Sequence, residues 1–451
     1  MPRTDLPRQP RSWRIRPCDA TARLDFANRA RVAPDRMRGN LDGIRVLDLT
    51  SEAGHFAGKL LGDLGADVVK VEPPSGDPVR RRGPFWGHAD DRERSLVWLA
   101  YNTSKRGITL DVTKPRGRDL LLDLVARTDV VLESCPPGKL DALGLGWAAL
   151  RAKNPRLVLC SLTPWGQSGP YAGWRGSDLT AVAMSGNLHC TGDHDRAPVR
   201  CTLPIAHYHA SIEAALAVAF ALWAREQGGR GQHVDVAMQA AMVMPNMATG
   251  SMFKMNGNRG ARAGAFFRQG KSVQREIWPC KDGWVSFAIR GGPARVPGLI
   301  AMVKLMDEHG MASGALKATD WKTYNHNLLS QAEVDALSAE FGAFFLSKTM
   351  TELFRAAVER NLMLAPANTA REIDASEQLA FREFFVDVEH PGRGRLRHPG
   401  AFAKIASRDP SATAIGIRRG APRLGEHTAE VLEEIGVSEA MLTELRHAGV
   451  C

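Results

Sequence analysis

Short apolar runs alternate with segments of helical periodicity through the first half of the chain. The pattern predicts strands at residues 43–49, 67–72, 108–111, 130–133 and 157–162, each rich in valine, leucine or isoleucine. It predicts helices between them, at residues 53–64, 115–127 and 147–154. Strands that alternate with helices are typical of parallel sheets with right-handed crossovers. We therefore expect an α/β fold with a Rossmann-like, doubly wound parallel sheet in a large domain that begins with residues 41–237.

The pattern changes in the second half of the chain. After a long apolar helix predicted at residues 211–225 and a strand at 233–236, residues 238–275 lose clear periodicity and are interpreted as a connector and mobile loop. An Asp-Gly pair between two strand-like runs predicts a hairpin within a smaller α+β domain at residues 276–385. Residues 386–451 are then expected to return and complete the large domain.

Charge is unevenly distributed along the chain. The formal net charge is +10, and residues 1–40 contribute ten arginines against four aspartates. These residues have no continuous apolar core of the kind that a secretory signal requires, so we predict a basic, disordered leader. No basic stripe interleaved with aromatic residues follows it, which argues against nucleic-acid binding.

Several other classes of function are disfavoured by composition. The longest apolar stretch, residues 214–224, has eleven residues, whereas a membrane-spanning helix needs about 20. Seven scattered cysteines without a Cys-x-x-Cys pair indicate a reducing cytoplasm. His207 and His209 have no further ligands at metal-binding spacing, so no metal site is predicted. The chain also lacks the Gly-x-Gly-x-x-Gly fingerprint of nicotinamide binding.

Two kinds of segment carry candidate chemistry. Ligands of doubly wound domains bind beyond the carboxyl ends of the strands, which are predicted here at residues 50–52, 134–138 and 163–167. The second segment is a polar turn, residues 191–200, between two apolar stretches. Within it Asp195 is our candidate nucleophile, because a carboxylate beside backbone N–H donors can attack a thioester carbonyl. Aspartate is also common in turns for structural reasons, and this alternative stays open.

Seven motifs in a fixed order resemble one enzyme family. They are Leu-Asp-Gly-Ile-Arg-Val-Leu-Asp-Leu at 41–49, Ala-Gly at 53–54, Leu-Gly-Ala-Asp-Val-Val-Lys-Val-Glu-Pro-Pro at 64–74, Lys-Arg at 105–106, Gly-Gln-Ser-Gly-Pro at 166–170, Gly-Arg-Gly-Gln-His-Val-Asp-Val at 229–236 and Leu-Gly-Glu-His-Thr at 424–428. Their joint order and spacing resemble the class III CoA-transferases, the CaiB/BaiF family that includes formyl-CoA and carnitine-CoA transferases. The likeness covers about residues 41 to 450.

The resemblance implies a large domain made from both ends of the chain, a small domain from the middle, and a homodimer whose two chains interlock. It implies that an acyl-CoA and a carboxylic acid are the substrates and that no cofactor is permanently bound. The family's catalytic aspartate follows a Thr-Gly pair with two residues between, which makes it Asp195, the carrier of mixed-anhydride and aspartyl-CoA intermediates. The implied CoA contacts are Glu52, Ala53, Lys105, Arg106, Leu110, Ser134, Cys135 and Trp165. Candidates for a glycine-rich flap are Gly257, Gly260, Gly264 and Gly270.

Two rival functions remain. A 2-methylacyl-CoA racemase resembles this chain in outline but uses a histidine where Ser177 stands and an aspartate where His207 stands, so proton abstraction would lack both groups. A non-catalytic CoA-binding subunit of a heteromeric transferase should lack the nucleophile, whereas Asp195 is present.

Overall fold

The computed structural model describes residues 39–88, 91–269, 271–405 and 414–451. All but the last two residues of the predicted leader, together with the flap candidate Gly270, lie outside the described residues.

A six-stranded parallel sheet forms the centre of the larger part of the chain. Its strands are β1 (Arg45–Leu49), β2 (Asp67–Glu72), β3 (Lys105–Thr109), β4 (Val130–Glu133), β5 (Val158–Thr163) and β6 (His233–Ala237). Their order across the sheet is β3-β2-β1-β4-β5-β6, with every pair parallel. This is the strand order of Rossmann sheets, and the predicted fold class is confirmed. The winding direction reverses between β1 and β4, so the carboxyl ends of these two strands border the crevice where such sheets bind ligands.

Helices cover both faces of this sheet. They are α1 (Glu52–Asp63), α2 (Leu96–Tyr101), α3 (Pro115–Val125), α4 (Lys139–Ala142), α5 (Trp147–Lys153), α6 (Asp178–Met184), α7 (Ile205–Gly228), α8 (Met238–Val243) and α9 (Met247–Asn256). Side chains alternate between the two faces along a strand. Val46 therefore joins the core formed with α1 and α7, while its neighbour Leu47 joins the opposite core with α3 and α5.

The apolar helix α7 begins at Ile205, six residues before the start that periodicity predicted. The reason is a cap supplied from far along the chain: the carboxylate of Asp178 accepts the backbone N–H of Ala206 at 2.7 Å. Among the described residues, α7 is the helix that is long and apolar enough to cross a membrane by length and composition. One side of it packs against α1, where Ser211 Oγ donates to the carbonyl of Ala53 at 2.7 Å.

The middle of the chain has a core of its own. Its strands are β7 (Phe266–Gln269), β8 (Ser272–Arg275), β9 (Ile277–Cys280), β10 (Gly283–Phe287) and β11 (Leu364–Pro366), and its helices are α10 (Val296–Glu308), α11 (Gly314–Ala318), α12 (Gln331–Leu346) and α13 (Met350–Arg360). Cys280 pairs with Gly283 in an antiparallel ladder, as the Asp-Gly hairpin signal predicted. Residues 238–275, expected to lack regular structure, contain α8, α9 and the β7/β8 hairpin.

The end of the chain packs on the edge of the large sheet. It contains α14 (Ala370–Asp374), α15 (Glu377–Phe381), β12 (Phe385–His390), β13 (Gly394–Pro399), α16 (Thr428–Glu433) and α17 (Glu439–His447). The Thr428 hydroxyl accepts the backbone N–H of Thr109 at 3.0 Å, and the His427 N–H donates to the Gly107 carbonyl at 2.9 Å. Val431 is fully buried in the core beside α3. These contacts attach the C-terminal helices to β3.

A network of buried charges lies between β1, β2, β3 and α1. Lys105 Nζ is 2.8 Å from Asp48 Oδ2, and Lys70 Nζ is 3.7 Å from the other oxygen of the same carboxylate. His55 Nε2 is 3.1 Å from Asp77 Oδ2. Two carboxylates and two ammonium groups balance, and burial lowers the pKa of His55. Such a network holds together only while each charge keeps its partner.

This network makes the free energy of unfolding depend on pH. Burial by itself raises the pKa of Asp48 and of Asp77, but the ammonium groups near Asp48, and the His55 ring and Lys70 near Asp77, outweigh burial and hold both pKa values below the usual range. Between the lowered values and an unfolded pKa of about 4, the unfolded chain binds more protons. The stabilisation is therefore complete above about pH 5 and is lost as pH falls through the unfolded pKa toward the folded pKa values.

We expect the free energy of unfolding, measured by urea titration, to fall steadily from about pH 5 to about pH 3. Asp77→Asn should make this fall shallower, because one of the two responsible carboxylates is gone. Asp119→Asn, at an exposed position on α3, is the matched control and should leave the slope unchanged. An equal free energy of unfolding at both pH values would contradict the interpretation.

Candidate active site

The carboxyl ends of β1 and β4 meet through two serines. The Ser51 backbone N–H donates to Ser134 Oγ at 2.7 Å, and the two hydroxyl oxygens are 3.0 Å apart. Ser51 precedes α1 but makes no side-chain cap bond to it. The N–H groups of the first turn of α1, from Glu52 and Ala53, therefore face this edge without a capping side chain, which favours an anion there.

Carboxylates also hold the segments that follow β4 and β5. Glu133 Oε2 accepts the backbone N–H of Cys135 at 2.6 Å, and Asp235 Oδ2 accepts that of Gln167 at 2.9 Å. Burial raises the pKa of Glu133, and the nearby charge of Asp235 acts in the same direction. Each carboxylate thus holds the first residues of a loop that leaves the carboxyl edge.

Three buried polar atoms near this edge have no hydrogen-bond partner in the part of the chain that the structure describes. They are Trp165 Nε1, Gln167 Nε2 and His207 Nδ1. Burial lowers the pKa of His207, and the charges of Glu52 and Asp178 oppose that shift, which places the ring beside the start of α1. Buried polar groups are rarely left unpaired. A ligand, a water molecule or a second chain is needed to satisfy them.

One further charge at this edge carries no recognisable signal in the sequence. Arg82, exposed after a short 3₁₀ turn at Pro78–Arg81, forms an ion pair with Glu52. The two residues are 30 positions apart, and no motif connects them. The pairing places a cation beside the first turn of α1.

The polar turn lies immediately before α7. The Val199 N–H donates to the Thr191 carbonyl at 3.1 Å, which closes the turn and leaves Asp195 near its tip. Asp195 is exposed, and its carboxylate has no hydrogen-bond or ion-pair partner among the described residues. By contrast, the carboxylate of Asp193 is paired with Arg196. Of the two acids, Asp195 is the one whose carboxylate has no partner among the described residues.

The family of the chain follows from comparison with known proteins. A family model described as CoA-transferase family III matches residues 41–428. The chain belongs to this family.

Relatives of this CoA-transferase agree over nearly their whole lengths. The chain is 33% identical to a subunit of the succinyl-CoA:(R)-benzylsuccinate CoA-transferase of Thauera aromatica, over 90% of this chain and 96% of the relative. It is 31% identical to the formyl-CoA:oxalate CoA-transferase of Streptomyces avermitilis, over 91% and 99%. A CaiB/BaiF family protein from Brucella suis matches in structure with a TM-score of 0.76 and 28% identity, over 88% of this chain and 100% of the other. The chain is therefore a transferase enzyme of family III.

The structure of this CoA-transferase does not bring all the predicted CoA contacts together. Glu52, Ala53, Ser134, Cys135 and Trp165 lie at the carboxyl edge of the sheet, in the segments that follow β1, β4 and β5. Lys105 and Arg106 instead begin β3, at the opposite edge. Leu110 follows β3, but its side chain is buried in the core beside α3.

The cationic pair at the start of β3 is engaged within the protein. Lys105 Nζ donates to Asp48, to the His55 carbonyl at 2.8 Å and to Asn102 at 2.9 Å. Arg106 donates at 2.7 Å to each of two carboxylates on the C-terminal segment, Glu430 and Glu434, and also pairs with Asp67. Adjacent strand residues point to opposite faces, and here each face supplies acids. We assign both cations a structural role and leave them out of the proposed CoA site.

We expect Lys105→Met to lower the free energy of unfolding by about 3–5 kcal/mol, because it leaves the buried Asp48 carboxylate with one distant ammonium group. Urea titration measures this. The matched control is Lys153→Met, which removes an exposed ion pair with Asp123 and should cost less than about 1 kcal/mol. If Lys105→Met instead raised the KM for acyl-CoA and left stability intact, Lys105 would be a substrate contact.

Proposed function

We propose that this enzyme transfers CoA from an acyl-CoA thioester to a free carboxylic acid, with the Asp195 carboxylate as the nucleophile. The observation that carries the proposal is the contrast between two acids of one turn: Asp193 is paired with Arg196, whereas Asp195 is exposed and has no partner in the part of the chain that the structure describes. A carboxylate without a cationic partner keeps its electron pairs available for attack on a carbonyl carbon.

The reaction balances without any oxidant or added proton. The Asp195 carboxylate attacks the thioester carbonyl, the C–S bond breaks, and CoA leaves as its thiolate while a mixed anhydride forms. The thiolate attacks the aspartyl carbonyl of that anhydride, releasing the donor acid and leaving an aspartyl-CoA thioester. The acceptor carboxylate displaces the thiolate to give a second anhydride, and the thiolate then attacks the acceptor carbonyl. The product thioester and free Asp195 result.

This scheme needs no metal or redox cofactor, because each step exchanges one acyl bond for another. We place the CoA moiety at the carboxyl edge of the sheet, beside Ser134, Cys135 and Trp165. The N–H groups of Glu52 and Ala53 at the start of α1 suit the phosphates of CoA. We also place the enzyme in the cytoplasm, since its odd number of cysteines suits a reducing compartment.

The racemase alternative is disfavoured by two helix caps. Ser177, which stands where a racemase has its histidine, caps α6 by accepting the Thr180 N–H at 3.3 Å. The neighbouring Asp178 caps α7. Both side chains are committed to backbone groups, so neither is free to take a proton from a substrate carbon.

We expect Asp195→Asn and Asp195→Ala to lower the transfer rate at least about 1,000-fold, because the nucleophile is lost. Asp193→Asn, the control from the same turn, removes only a partly exposed ion pair and should cost less than about 10-fold. Transfer is measured by mass spectrometry of CoA products from a panel of donors and acids. Succinyl-CoA is the first donor to test, because four relatives are named for it.

Trapping identifies the nucleophile directly. Hydroxylamine added with acyl-CoA should convert the Asp195 side chain to a hydroxamate, and an adduct on another residue with Asp195 unmodified would refute the assignment. Rapid exchange of deuterium at the α-carbon of a 2-methylacyl-CoA would favour the racemase. An unchanged transfer rate in Asp195→Asn would refute Asp195 as the nucleophile, whereas a purified chain that binds CoA and transfers none would be better described as a CoA-binding subunit.

We further propose that a second subunit covers the free face of α7. Ile212, Leu216, Phe220 and Trp223 recur on one side of this helix and are all exposed, the last two by 62% and 67%. Four large apolar side chains on one helix face are typical of a subunit interface. We expect an interlocked homodimer. Three relatives are named as subunits, which makes a heteromer the competing outcome.

Sedimentation of the purified chain should give about twice its mass of 49.2 kDa. Trp223→Glu should shift the equilibrium toward the monomer, because a charge cannot be buried there without a partner. Leu328→Glu is the control, since Leu328 is similarly exposed at 71% but lies outside the helix. A stable folded monomer of the unmodified chain would contradict the homodimer and favour assembly with a different chain.

A further inference from the structure

A cavity of about 430 Å³ lies in the middle part of the chain, between the strands β7, β8 and β9 and the helix α12. All of its lining residues fall between positions 266 and 342. Its volume lies within the range of about 300–1,000 Å³ that is usual for small-molecule sites. The cavity is therefore large enough for a ligand, and it shares no residue with the proposed CoA site.

The floor of the cavity is aromatic. Phe266 and Arg275 are direct partners in the β7/β8 ladder, and the guanidinium carbon of Arg275 lies 4.7 Å from the centre of the Phe266 ring. The Trp278 ring is 5.9 Å from the same carbon. The indole N–H of Trp278 donates to the Phe287 carbonyl at 2.7 Å, which fixes the orientation of the ring. A flat apolar surface beside a cation suits a ligand with an apolar body and an anionic group.

The opposite wall is one face of α12. Its cavity-lining positions are 331, 335, 338, 339 and 342, and this helical spacing places them on one side of the helix. Three of these residues are small, namely Ser338, Ala339 and Gly342. A Cβ added at Gly342 would lie 3.7 Å from the Trp278 ring, so helix and floor are in contact at that end. The small side chains leave the remaining room for a ligand.

One side-chain amide joins the two walls at the start of α12. Gln331 Oε1 accepts the backbone N–H of Val273 at 2.9 Å, and Gln331 Nε2 donates to the Val273 carbonyl at 3.1 Å. The same Nε2 donates to Asp335 Oδ1 at 2.8 Å. Gln331 therefore ties β8 to α12 and orients the Asp335 carboxylate. Walls that are already held in place lose little entropy when a ligand binds between them.

Two opposite charges line this cavity without pairing. The Arg275 guanidinium donates to the Ile277 carbonyl at 3.3 Å, but within the described ranges neither it nor the Asp335 carboxylate forms an ion pair. Arginine has five N–H donors in a planar fork that matches a carboxylate, so most of its donors stay available. The Asp335 carboxylate likewise keeps acceptor capacity for an ammonium group.

We propose that this cavity binds a free α-amino acid with an apolar side chain. The ligand carboxylate pairs with Arg275, its ammonium group pairs with Asp335, and its side chain lies on Phe266 and Trp278. Opposite charges that line one cavity without pairing leave a gap that a zwitterion bridges, whereas a ligand with a single charge leaves one of them without a partner. The proposal does not depend on the transfer reaction or on its nucleophile.

Isothermal titration calorimetry of the purified full chain tests the proposal, with L-phenylalanine and L-leucine as probes. We expect saturable binding of at least one of them. Each amino acid is compared with its amide, which lacks the carboxylate, and with its des-amino acid, which lacks the ammonium group. Both analogues should bind at least about 10-fold more weakly, because each loses a charge-assisted hydrogen bond. Absence of saturable heat with both probes, or an analogue that binds as tightly as its amino acid, overturns the proposal.

Two charge variants locate the site. Arg275→Met should weaken binding of the amino acid by about 10-fold to 100-fold, but not binding of the amide, which has no carboxylate to lose. Asp335→Asn should weaken binding of the amino acid by about 10-fold, but not binding of the des-amino acid. Arg355→Met, at an exposed position on α13, is the control and should leave the affinity unchanged. Unchanged affinity for the amino acid in either cavity variant overturns the proposal.

A bulky residue tests the cavity without removing a charge, and serves if Arg275→Met fails to fold. Ala339→Phe should fill the cavity and abolish binding, whereas Ala336→Phe, exposed on the same helix but outside the lining, should not. Equal affinities in these two variants would contradict the site. The titration is repeated with saturating CoA, where unchanged affinity supports the proposal. Displacement of the amino acid by CoA would place it at the carboxyl edge of the large sheet and refute the site.

Discussion

The backbone at the carboxyl edge of the sheet, where we place the candidate site, depends on one buried carboxylate. The carboxylate of Asp48 is buried between the ammonium groups of Lys105 and Lys70. The same carboxylate accepts the N–H and the hydroxyl of Thr50, at 2.9 and 2.6 Å, and Lys70 also donates to the Thr50 carbonyl. Thr50 is the residue before Ser51, so the charges in the core fix the backbone from which α1 starts. A buried charge is costly unless it is paired, which makes this arrangement specific.

The polar groups around the sheet are of two kinds, those that are paired and those that lack a partner. Inside and at the amino edge of the sheet, charges are matched, as Arg106 is by three acids. Near the carboxyl edge several polar groups have no hydrogen-bond partner within the described ranges, including Trp165 Nε1 and His207 Nδ1. The Asp195 carboxylate is unmatched as well, on a closed turn held from outside by Arg262. A rigid scaffold that carries unsatisfied groups on loops is the usual arrangement for binding and catalysis.

Much of the fold could be predicted because it depends on local patterns. The apolar runs that became β1, β2, β4 and β5 are short and strongly patterned, and parallel strands follow from the helices between them. The order of motifs sufficed to indicate the transferase family, which the family model confirmed. The Thr-Gly pair before Asp195 pointed to the candidate nucleophile, although its role is still a proposal.

The remaining features depend on contacts between distant residues. Periodicity could not locate the start of α7, because the cap comes from Asp178. The family resemblance implied that Lys105 and Arg106 contact CoA, but the fold places acids on both faces of β3 beside them. Arg82 and Arg262 carried no motif at all. Hydrophobic pattern and motif order are properties of neighbouring residues and can be recognised along the chain, whereas the partner of a charge is set by folding, which brings together residues tens or hundreds of positions apart.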